Sequence, residues 1–177
     1  MNIATDLEKK INSELGTKVK SSAIKHQQIY ITINIDDLVD VATLLKTNQK
    51  LKFKQLIDIT AVDYPSNEKR FKIVYFLLSH EFNQRIIISS FINDNEQVET
   101  LTNIFPSANW MEREVFDMYG VVFKNHPDLR RILTDYGFEG HPLRKDFPLT
   151  GFNEVRYSEK DKKVIYYPVK LEHHLDQ

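Results

Sequence analysis

The sequence predicts an α+β fold: a small mixed or antiparallel sheet of about four strands with flanking helices, followed by a long extended C-terminal tail. Up to Gly120, segments with helical periodicity and segments with strand alternation follow one another, and short hairpin-like linkers join successive strands. After Gly120 neither period is sustained, and this part holds four of the six prolines and three of the five glycines. We therefore divide the chain into an α+β domain, residues 1–120, and a tail, residues 121–177.

Local patterns place the elements of the domain. Apolar residues at four-residue steps ahead of Gly16 predict the first helix, and strict alternation predicts the first strand. Either Asp36 or Asp37 can cap the second helix. The predicted helices of this part cover residues 3–15, 37–46 and 95–105. The predicted strands cover residues 29–35, 53–62, 71–78 and 85–92.

The last helix of the domain carries a charge on its apolar side. This helix is predicted between an N-cap at Asn109 and the helix-ending Gly120. At about 100° per residue, its apolar arc consists of Met111, Val115, Phe116, Met118 and Tyr119. The opposite, exposed side consists of Trp110, Arg113, Glu114 and Asp117. Arg113 and Asp117 are four residues apart and can pair there. Glu112 falls inside the apolar arc, where a carboxylate must be paired, act as a cap or serve chemistry.

Three interpretations of Glu112 stay open. Its spacing from Asn109 is that of a capping box, in which the carboxylate accepts the Asn109 backbone N–H. A buried ion pair with an arginine of the tail is the second, and the candidates are Arg130, Arg131 and Arg144. A catalytic carboxylate is the third. A small metal-dependent hydrolase of that kind would use Glu112, Glu114, Asp117 and a histidine of the tail.

Composition excludes several kinds of site. The chain has no Cys, which excludes disulfides, thiolate zinc sites and Cys-ligated iron–sulfur clusters within it. The formal net charge of -1 lacks the basic excess of a nucleic-acid-binding protein. No apolar run reaches the ~20 residues of a membrane span, and no phosphate loop or GxSxG turn is present. The first residues lack a signal- or transit-peptide pattern. We therefore expect that the protein is synthesised in the compartment where it works, or that this chain is already processed.

The tail contains two similar segments and many aromatic rings. His126-Pro-Asp-Leu-Arg-Arg and His141-Pro-Leu-Arg-Lys-Asp each place His-Pro before a basic pair with an acid nearby, which favours anchoring to a neighbouring surface over metal binding. Disorder is the usual interpretation of such an aperiodic terminus, but the number of rings indicates that the tail lies on another surface. Its own domain can cover part of the tail, and a partner subunit is the expected host for the rest. Residues 154–157 and 164–167 can form a small hairpin. His173-His174 is interpreted as a solvated pair.

A long run at the end of the domain resembles a known signature. The run from Glu112 to Leu133 begins Glu-Arg-Glu-Val-Phe-Asp-Met-Tyr-Gly. It resembles the signature of the 30-kilodalton subunit of respiratory complex I, which in bacteria is the C subunit of NADH-quinone oxidoreductase. The following run from Thr134 to Tyr157 contains a Pro-Leu-Arg-Lys-Asp core. It is similar to the mitochondrial members, of the NADH dehydrogenase subunit 9 type, and to their closest bacterial relatives.

This resemblance implies a non-catalytic structural subunit of the peripheral arm. No flavin, iron–sulfur cluster or quinone site would lie in this chain; those cofactors would belong to partner subunits. Electron transfer from NADH to ubiquinone, coupled to proton translocation, would belong to the whole complex. The tail would bind the 49-kilodalton subunit near the quinone site. The expected location is the matrix side of the mitochondrial inner membrane or, alternatively, the cytoplasmic side of a bacterial inner membrane.

The charged residues of the joint between domain and tail are the candidate site. We expect them to contact a partner protein or to form structural ion pairs. They are Glu112, Arg113, Glu114, Asp117, Arg130, Arg131, His141, Arg144, Lys145 and Asp146. Besides the hydrolase, a free regulatory module whose tail folds onto itself is the other alternative to a complex I subunit.

Overall fold

A five-stranded mixed sheet with helices packed on one face forms the centre of the computed structural model, which describes residues 3–169. The helices are α1 Ile3–Leu15, α2 Leu38–Thr47 and α3 Ala108–Tyr119. The strands are β1 Val19–Lys25, β2 Gln28–Ile33, β3 Gln55–Asp63, β4 Phe71–Ser79, β5 Gln84–Ile92, β6 Val98–Glu99, β7 Phe123–Lys124, β8 Asn153–Ser158 and β9 Lys163–Pro168. The predicted α+β class is confirmed.

The large sheet has the order β1-β2-β5-β4-β3. Only its central pair, β2 and β5, is parallel, with Ile31 opposite Ile88; the other neighbours are antiparallel. Side chains alternate between the two faces of a strand, so one face can collect the apolar residues. On β4 these are Phe71, Ile73, Tyr75 and Leu77, each exposed by 1% or less.

The helices bury their apolar sides against that face. From α1 and α2 the core receives Leu7, Ile11, Leu15, Leu38, Val41 and Leu45. α3 packs against β3 and contributes Val115. Val121 and Phe123 follow α3 and are buried in the same cluster, so the hydrophobic core continues past Gly120. The proposed division of the chain at residue 120 stays a prediction.

Two differences from the predicted elements have clear physical reasons. The sequence pattern does not predict β1, because this edge strand has mostly exposed polar residues and lacks an alternating apolar pattern. The helix predicted over residues 95–105 is wrong. There, β6 pairs in parallel with β7, so that Val98 lies beside Phe123, and only a turn over Leu101–Phe105 follows. This long-range pairing satisfies the backbone of β6 and overrides a weak local helix preference.

Other predicted elements are confirmed. α1 ends at Leu15 with Gly16 at a positive φ of 57° directly after it, and α3 ends at Tyr119 with Gly120 in the left-handed conformation directly after it. The small hairpin of the tail is formed by β8 and β9, with Val155 opposite Tyr166. The pair His173-His174 lies outside the described residues. No helix within residues 3–169 is long and apolar enough to cross a membrane.

Candidate functional site

Asp117 connects α3 to the tail. Its fully buried carboxylate accepts the backbone N–H groups of residues 132–134 at 2.8–3.0 Å, the Thr134 hydroxyl at 2.6 Å and Arg131 Nη1 at 2.8 Å. Burial opposes ionisation, but the bonds from Thr134 and from the backbone of Leu133 and Ile132 outweigh it and hold the pKa of Asp117 well below its usual range. The carboxylate therefore stays charged and orders the turn at residues 131–134.

The C-terminus of α3 is capped by the second His-Pro segment. The carbonyl groups of Asp117, Met118 and Tyr119 have no partner within the helix. They accept His141 Nδ1–H at 2.9 Å, the Leu143 backbone N–H at 3.0 Å and Arg144 Nε–H at 2.6 Å. Burial lowers the pKa of His141, which favours the neutral ring with its proton on Nδ1.

Gly120 makes this close approach possible. Its φ is 79° and its ψ is 15°, a left-handed conformation that other residues adopt at a cost. A Cβ atom at this position would lie 2.6 Å from both Arg144 Nη2 and His141 Nε2. Backbone conformation and available space therefore both require glycine where α3 meets the tail.

A second buried carboxylate, Asp63 at the end of β3, also binds the tail. It accepts two bonds from Arg70, at 2.7 and 2.8 Å, and the backbone N–H of Lys145 at 2.7 Å. The Arg70 guanidinium is the largest cause that lowers the pKa of Asp63. Arg70 also pairs with Asp146 at 2.9 Å. The tail segment 144–146 is thus bound to β3 and to the start of β4.

Asp94 completes this network. It pairs with Arg70 at 3.2 Å and with Arg144 at 3.0 Å. Both guanidinium groups lie over the Phe71 ring, at 5.2 and 5.0 Å from its centroid. The carboxylates therefore neutralise the two arginines, while both guanidinium groups remain packed against the Phe71 ring.

Glu112 occupies a different, enclosed site. Its side chain is fully buried and accepts the Thr100 hydroxyl at 2.5 Å and the Leu101 backbone N–H at 2.8 Å. Burial outweighs these two bonds and raises the pKa of Glu112 to about 7. The buried hydroxyl of Tyr75 has no hydrogen-bond partner among the described residues, and burial together with Glu112 raises its pKa well above its usual value.

His126 forms the wall of this site on the side of the tail. Its Nε2 lies 3.9 Å from Glu112 Oε2 and 3.0 Å from the Asn109 carbonyl oxygen. Its Nδ1 accepts the Asp128 backbone N–H at 3.0 Å. Since Nδ1 accepts, the neutral ring carries its proton on Nε2 and donates it to Asn109. The first His-Pro segment is therefore bound to the start of α3, as the second is to its end.

The structure corrects the predicted pairings of α3. The helix begins at Ala108 with Ser107 at the N-cap, so Glu112 does not cap the Asn109 amide. Glu112 also has no arginine partner within residues 3–169; Arg131 pairs with Asp117 instead. These differences arise because residues 100 and 101, directly after β6, supply donors that the sequence pattern of one helix does not contain.

Arg113 and Asp117 do not form the expected exposed pair. Both are buried, and Arg113 donates to the carbonyl groups of Arg130 and Arg131 at 3.1 and 3.3 Å while its guanidinium lies 5.0 Å from the Trp110 ring centroid. The tail covers this side of the helix, and only Trp110 and Glu114 remain exposed there.

The remaining predicted residues have simpler surroundings. Arg130 makes an exposed ion pair with Asp128 at 2.9 Å. Lys145 contributes its backbone N–H to Asp63, and its side chain is exposed. Partner contacts by these residues stay a prediction.

The metal site that the hydrolase hypothesis requires is not assembled. Glu112 faces Thr100, Asp117 faces the turn at 131–134, and Glu114 is exposed. Within residues 3–169, no group of three or more His, Asp or Glu side chains is placed to hold a metal ion.

Sequence reasoning missed Asp63, Arg70, Asp94 and Thr100. Asp63 and Arg70 flank a hairpin-like linker, and nothing in that local pattern indicates that they bind a distant segment. The one available signal was a carboxylate at the apolar period of β3, two residues after Ala61.

Comparison with known proteins identifies the family. The family described as "Respiratory-chain NADH dehydrogenase, 30 Kd subunit" matches residues 31–153. The chain belongs to this family. It is similar to the C subunit of NADH-quinone oxidoreductase from Chelativorans sp. (strain BNC1), with 49% identity over 94% of this chain and 83% of that one. It is also similar to the corresponding protein of Paramagnetospirillum magneticum (strain AMB-1), with 52% identity over 89% of this chain and 77% of that one.

Two solved structures share the fold. A chain of the membrane-bound sulfane sulfur reductase, an archaeal respiratory membrane complex, superposes with a TM-score of 0.71 at 25% identity, over 82% of this chain and 85% of that one. A trypsin-resistant fragment (1-134) of Nqo5 superposes with a TM-score of 0.58 at 24% identity, over 70% of this chain and 98% of that one. Membership of the respiratory-chain family thus accounts for both the sequence and the fold.

Proposed function

We propose that this chain is a non-catalytic structural subunit in the peripheral arm of a proton-translocating NADH:quinone oxidoreductase, and that its tail binds the 49-kilodalton subunit near the quinone site. Family membership supports the place in the complex. The distribution of exposed apolar side chains supports the role of the tail. Among the described residues, ten of the sixteen exposed large hydrophobic side chains lie between Leu133 and Tyr167.

The tail has two parts with different contacts. Residues 121–147 are bound to the chain's own domain through Asp117, Asp63 and the end of α3. In the described part of the chain, the hydrogen bonds and ion pairs of the β8–β9 hairpin are made within residues 135–169. A two-stranded hairpin with both faces exposed is marginal in water. We infer that residues 121–147 orient the tail and that the hairpin contacts the partner.

The residues of the joint support a mechanical and electrostatic role. Asp117 and Asp63 both accept backbone N–H groups of the tail, and each pairs with an arginine. The chain has no Cys to ligate a cluster. We propose that flavin, iron–sulfur clusters and quinone are bound by partner subunits. The proposed location is the matrix side of the mitochondrial inner membrane, with the cytoplasmic side of a bacterial inner membrane as the alternative that the bacterial relatives favour.

Co-purification under mild detergent tests this function. Full-length tagged chain should recover the 49-kilodalton subunit, and the double variant Tyr157→Ser, Val164→Ser should recover about tenfold less, because these opposed, exposed side chains lie on one face of the hairpin. The matched control replaces two exposed apolar residues of β3, Ile57→Ser and Val62→Ser, and should leave recovery unchanged. Equal recovery by both double variants would show that the hairpin is not the contact.

A further inference from the structure

The tail contains a concave site lined by aromatic rings. The loop at residues 135–139 and the β8–β9 hairpin enclose a cavity of about 270 Å³. The rings that line it, here called the aromatic cup, are Tyr136, Phe138, Phe147, Phe152 and Tyr166. A cavity of this size is larger than the roughly 150 Å³ site that holds benzene and smaller than most sites for drug-sized ligands. It therefore fits a single large side chain.

The rings hold one another in place. Phe138 and Phe147 stack with centroids 5.9 Å apart at 29°, and Phe147 meets Phe152 edge-on at 5.4 Å and 80°. Gly140 lies so close that a Cβ atom there would be 2.8 Å from the Phe147 ring. The Tyr166 hydroxyl donates to Asp135 at 3.0 Å, which connects the hairpin to the loop. Four of the five rings, Phe138, Phe147, Phe152 and Tyr166, are thus held in place before any partner binds.

The charged residues that line the aromatic cup are acidic. The carboxylates of Asp135 and Glu139 line the cavity, and no Lys, Arg or His lines it in the described part of the chain. Within residues 3–169 neither carboxylate forms an ion pair, so both charges are available to a ligand. Ring faces are electron-rich and attract cations, while carboxylates add direct charge and hydrogen-bond acceptors. An anion would be repelled by both features, and a neutral side chain would use only the rings.

A guanidinium group already binds one of these rings. Arg131, held by Asp117 and by the Gly140 carbonyl, lies outside the cavity lining with its guanidinium carbon 5.8 Å from the Phe138 centroid. Phe138 therefore takes part in cation–π contact within this chain, and the rings facing the cavity offer the same surface to a second cation.

We propose that the aromatic cup binds a cationic side chain, an arginine or lysine, of a partner protein. This inference rests on the proposed function, because it adds a specific contact to the docking of the tail. Tyr136, fully exposed, and Phe152, 59% exposed, stand at the opening, where a protein surface can cover them. A basic side chain of that surface would place its charge between the rings and the two carboxylates.

A titration of the isotope-labelled full-length chain with N-acetyl-arginine methylamide, followed by NMR, tests the chemistry. Resonances of the cup should shift with a dissociation constant on the order of 1–10 mM, which is typical of a single side chain without the rest of its protein. The neutral isostere N-acetyl-citrulline methylamide should bind at least about threefold more weakly. Equal binding of both probes, or no saturable shift with either, would overturn the proposal.

Two pairs of variants locate the site. Phe152→Leu removes an exposed ring and Glu139→Gln removes a charge, and each should weaken arginine binding by about threefold or more. Tyr157→Leu and Glu159→Gln remove an exposed ring and an exposed charge of the same hairpin outside the cup, and each should leave binding unchanged. Arginine binding that survives both cup substitutions contradicts the assignment.

Recovery of the 49-kilodalton subunit separates this inference from the proposed function. The cup variants should lower recovery, and full recovery by Phe152→Leu and Glu139→Gln would mean that the cup does not contact that partner. Failure of the proposed function itself is detected with the hairpin pair Tyr157→Ser, Val164→Ser, which lies outside the cup.

Discussion

At the scale of single residues, α3 holds two buried carboxylates with opposite properties. Asp117 receives five donors and stays ionised, whereas Glu112 receives two donors in an enclosed site beside His126 and has a pKa of about 7. Neither side chain has exposed surface, but Glu112 lies deeper in the protein than Asp117. Deeper burial and fewer hydrogen bonds together raise the pKa of Glu112, because each bond offsets part of the desolvation penalty.

Glu112 makes stability depend on pH near neutrality. A carboxyl group whose pKa is higher in the folded than in the unfolded chain binds its proton more tightly when the chain is folded. The stability that this proton contributes is complete below about pH 4.5 and is lost as pH rises through about 7. Relative to Glu112→Gln, we expect the free energy of unfolding of the wild type to fall by about 3 kcal/mol over that window. Urea unfolding at several pH values measures this. The exposed Glu114→Gln is the control, and a wild-type curve parallel to that of Glu112→Gln would contradict the prediction.

Asp117 has the opposite dependence. Its pKa is lowered in the folded chain, so its contribution is present above about pH 4 and is lost as pH falls below that value. At pH 7, Asp117→Asn should lower the free energy of unfolding by about 3 kcal/mol, because the amide cannot accept the same set of donors. Asp128→Asn, which breaks only an exposed pair, should stay within about 0.5 kcal/mol. The prediction is contradicted if Asp117→Asn lowers the free energy of unfolding as little as Asp128→Asn does.

At the scale of elements, α3 is built to hold the tail at both ends. His126 binds near its start through Asn109, and the segment 141–144 caps its last carbonyl groups. The helix and its glycine stop are predictable from sequence, since Gly120 follows an amphipathic run. The capping segment is not, because its partners lie more than twenty residues away along the chain.

Two glycines separate backbone strain from crowding. Gly120 and Gly137 have nearly equal φ values, 79° and 78°, but only at Gly120 would a Cβ atom meet other groups. Gly137→Ala should cost about 1 kcal/mol from the left-handed conformation, and Gly120→Ala at least about 3 kcal/mol, because Arg144 and His141 must also move. Thermal and urea unfolding of both variants measures the difference. Equal losses of stability in the two variants would show that segment 141–144 can move away from the added Cβ atom at no cost in free energy.

At the scale of the whole molecule, the structure consists of a helix-covered sheet and a tail that is bound to it over its first part. The buried residues Val121 and Phe123 and the β6–β7 pairing contribute to this attachment, and so do two carboxylates: Asp117, which pairs with Arg131, and Asp63, which pairs with Arg70 and accepts the backbone N–H of Lys145. These pairs are partly or fully withdrawn from water, so their geometry is better defined than that of surface ion pairs. The hairpin, in contrast, presents apolar side chains to solvent.

Arg144 tests the link between this attachment and assembly. Arg144→Ala removes the bond to Tyr119, the pair with Asp94 and the packing on Phe71, so we expect a loss of about 2 kcal/mol and a lower yield of the assembled complex. Lys145→Ala is the matched control, because the backbone N–H that binds Asp63 is retained. Complex yield and quinone reductase activity report the outcome. If Arg144→Ala gives wild-type values for both, the orienting role of the attachment is wrong.

The sequence by itself determined the periodic elements other than β1 and residues 95–105, the glycine at the end of α3, the hairpin and the family signature from Glu112 to Tyr157. These features are local, since a period or a motif is contained within a short stretch of chain. Only the tertiary structure decided that Glu112 faces Thr100, that residues 98–99 pair with residues 123–124, and that Asp63 binds a backbone group 82 residues away. Burial and partner identity depend on which distant segments approach one another, and no local pattern contains that information.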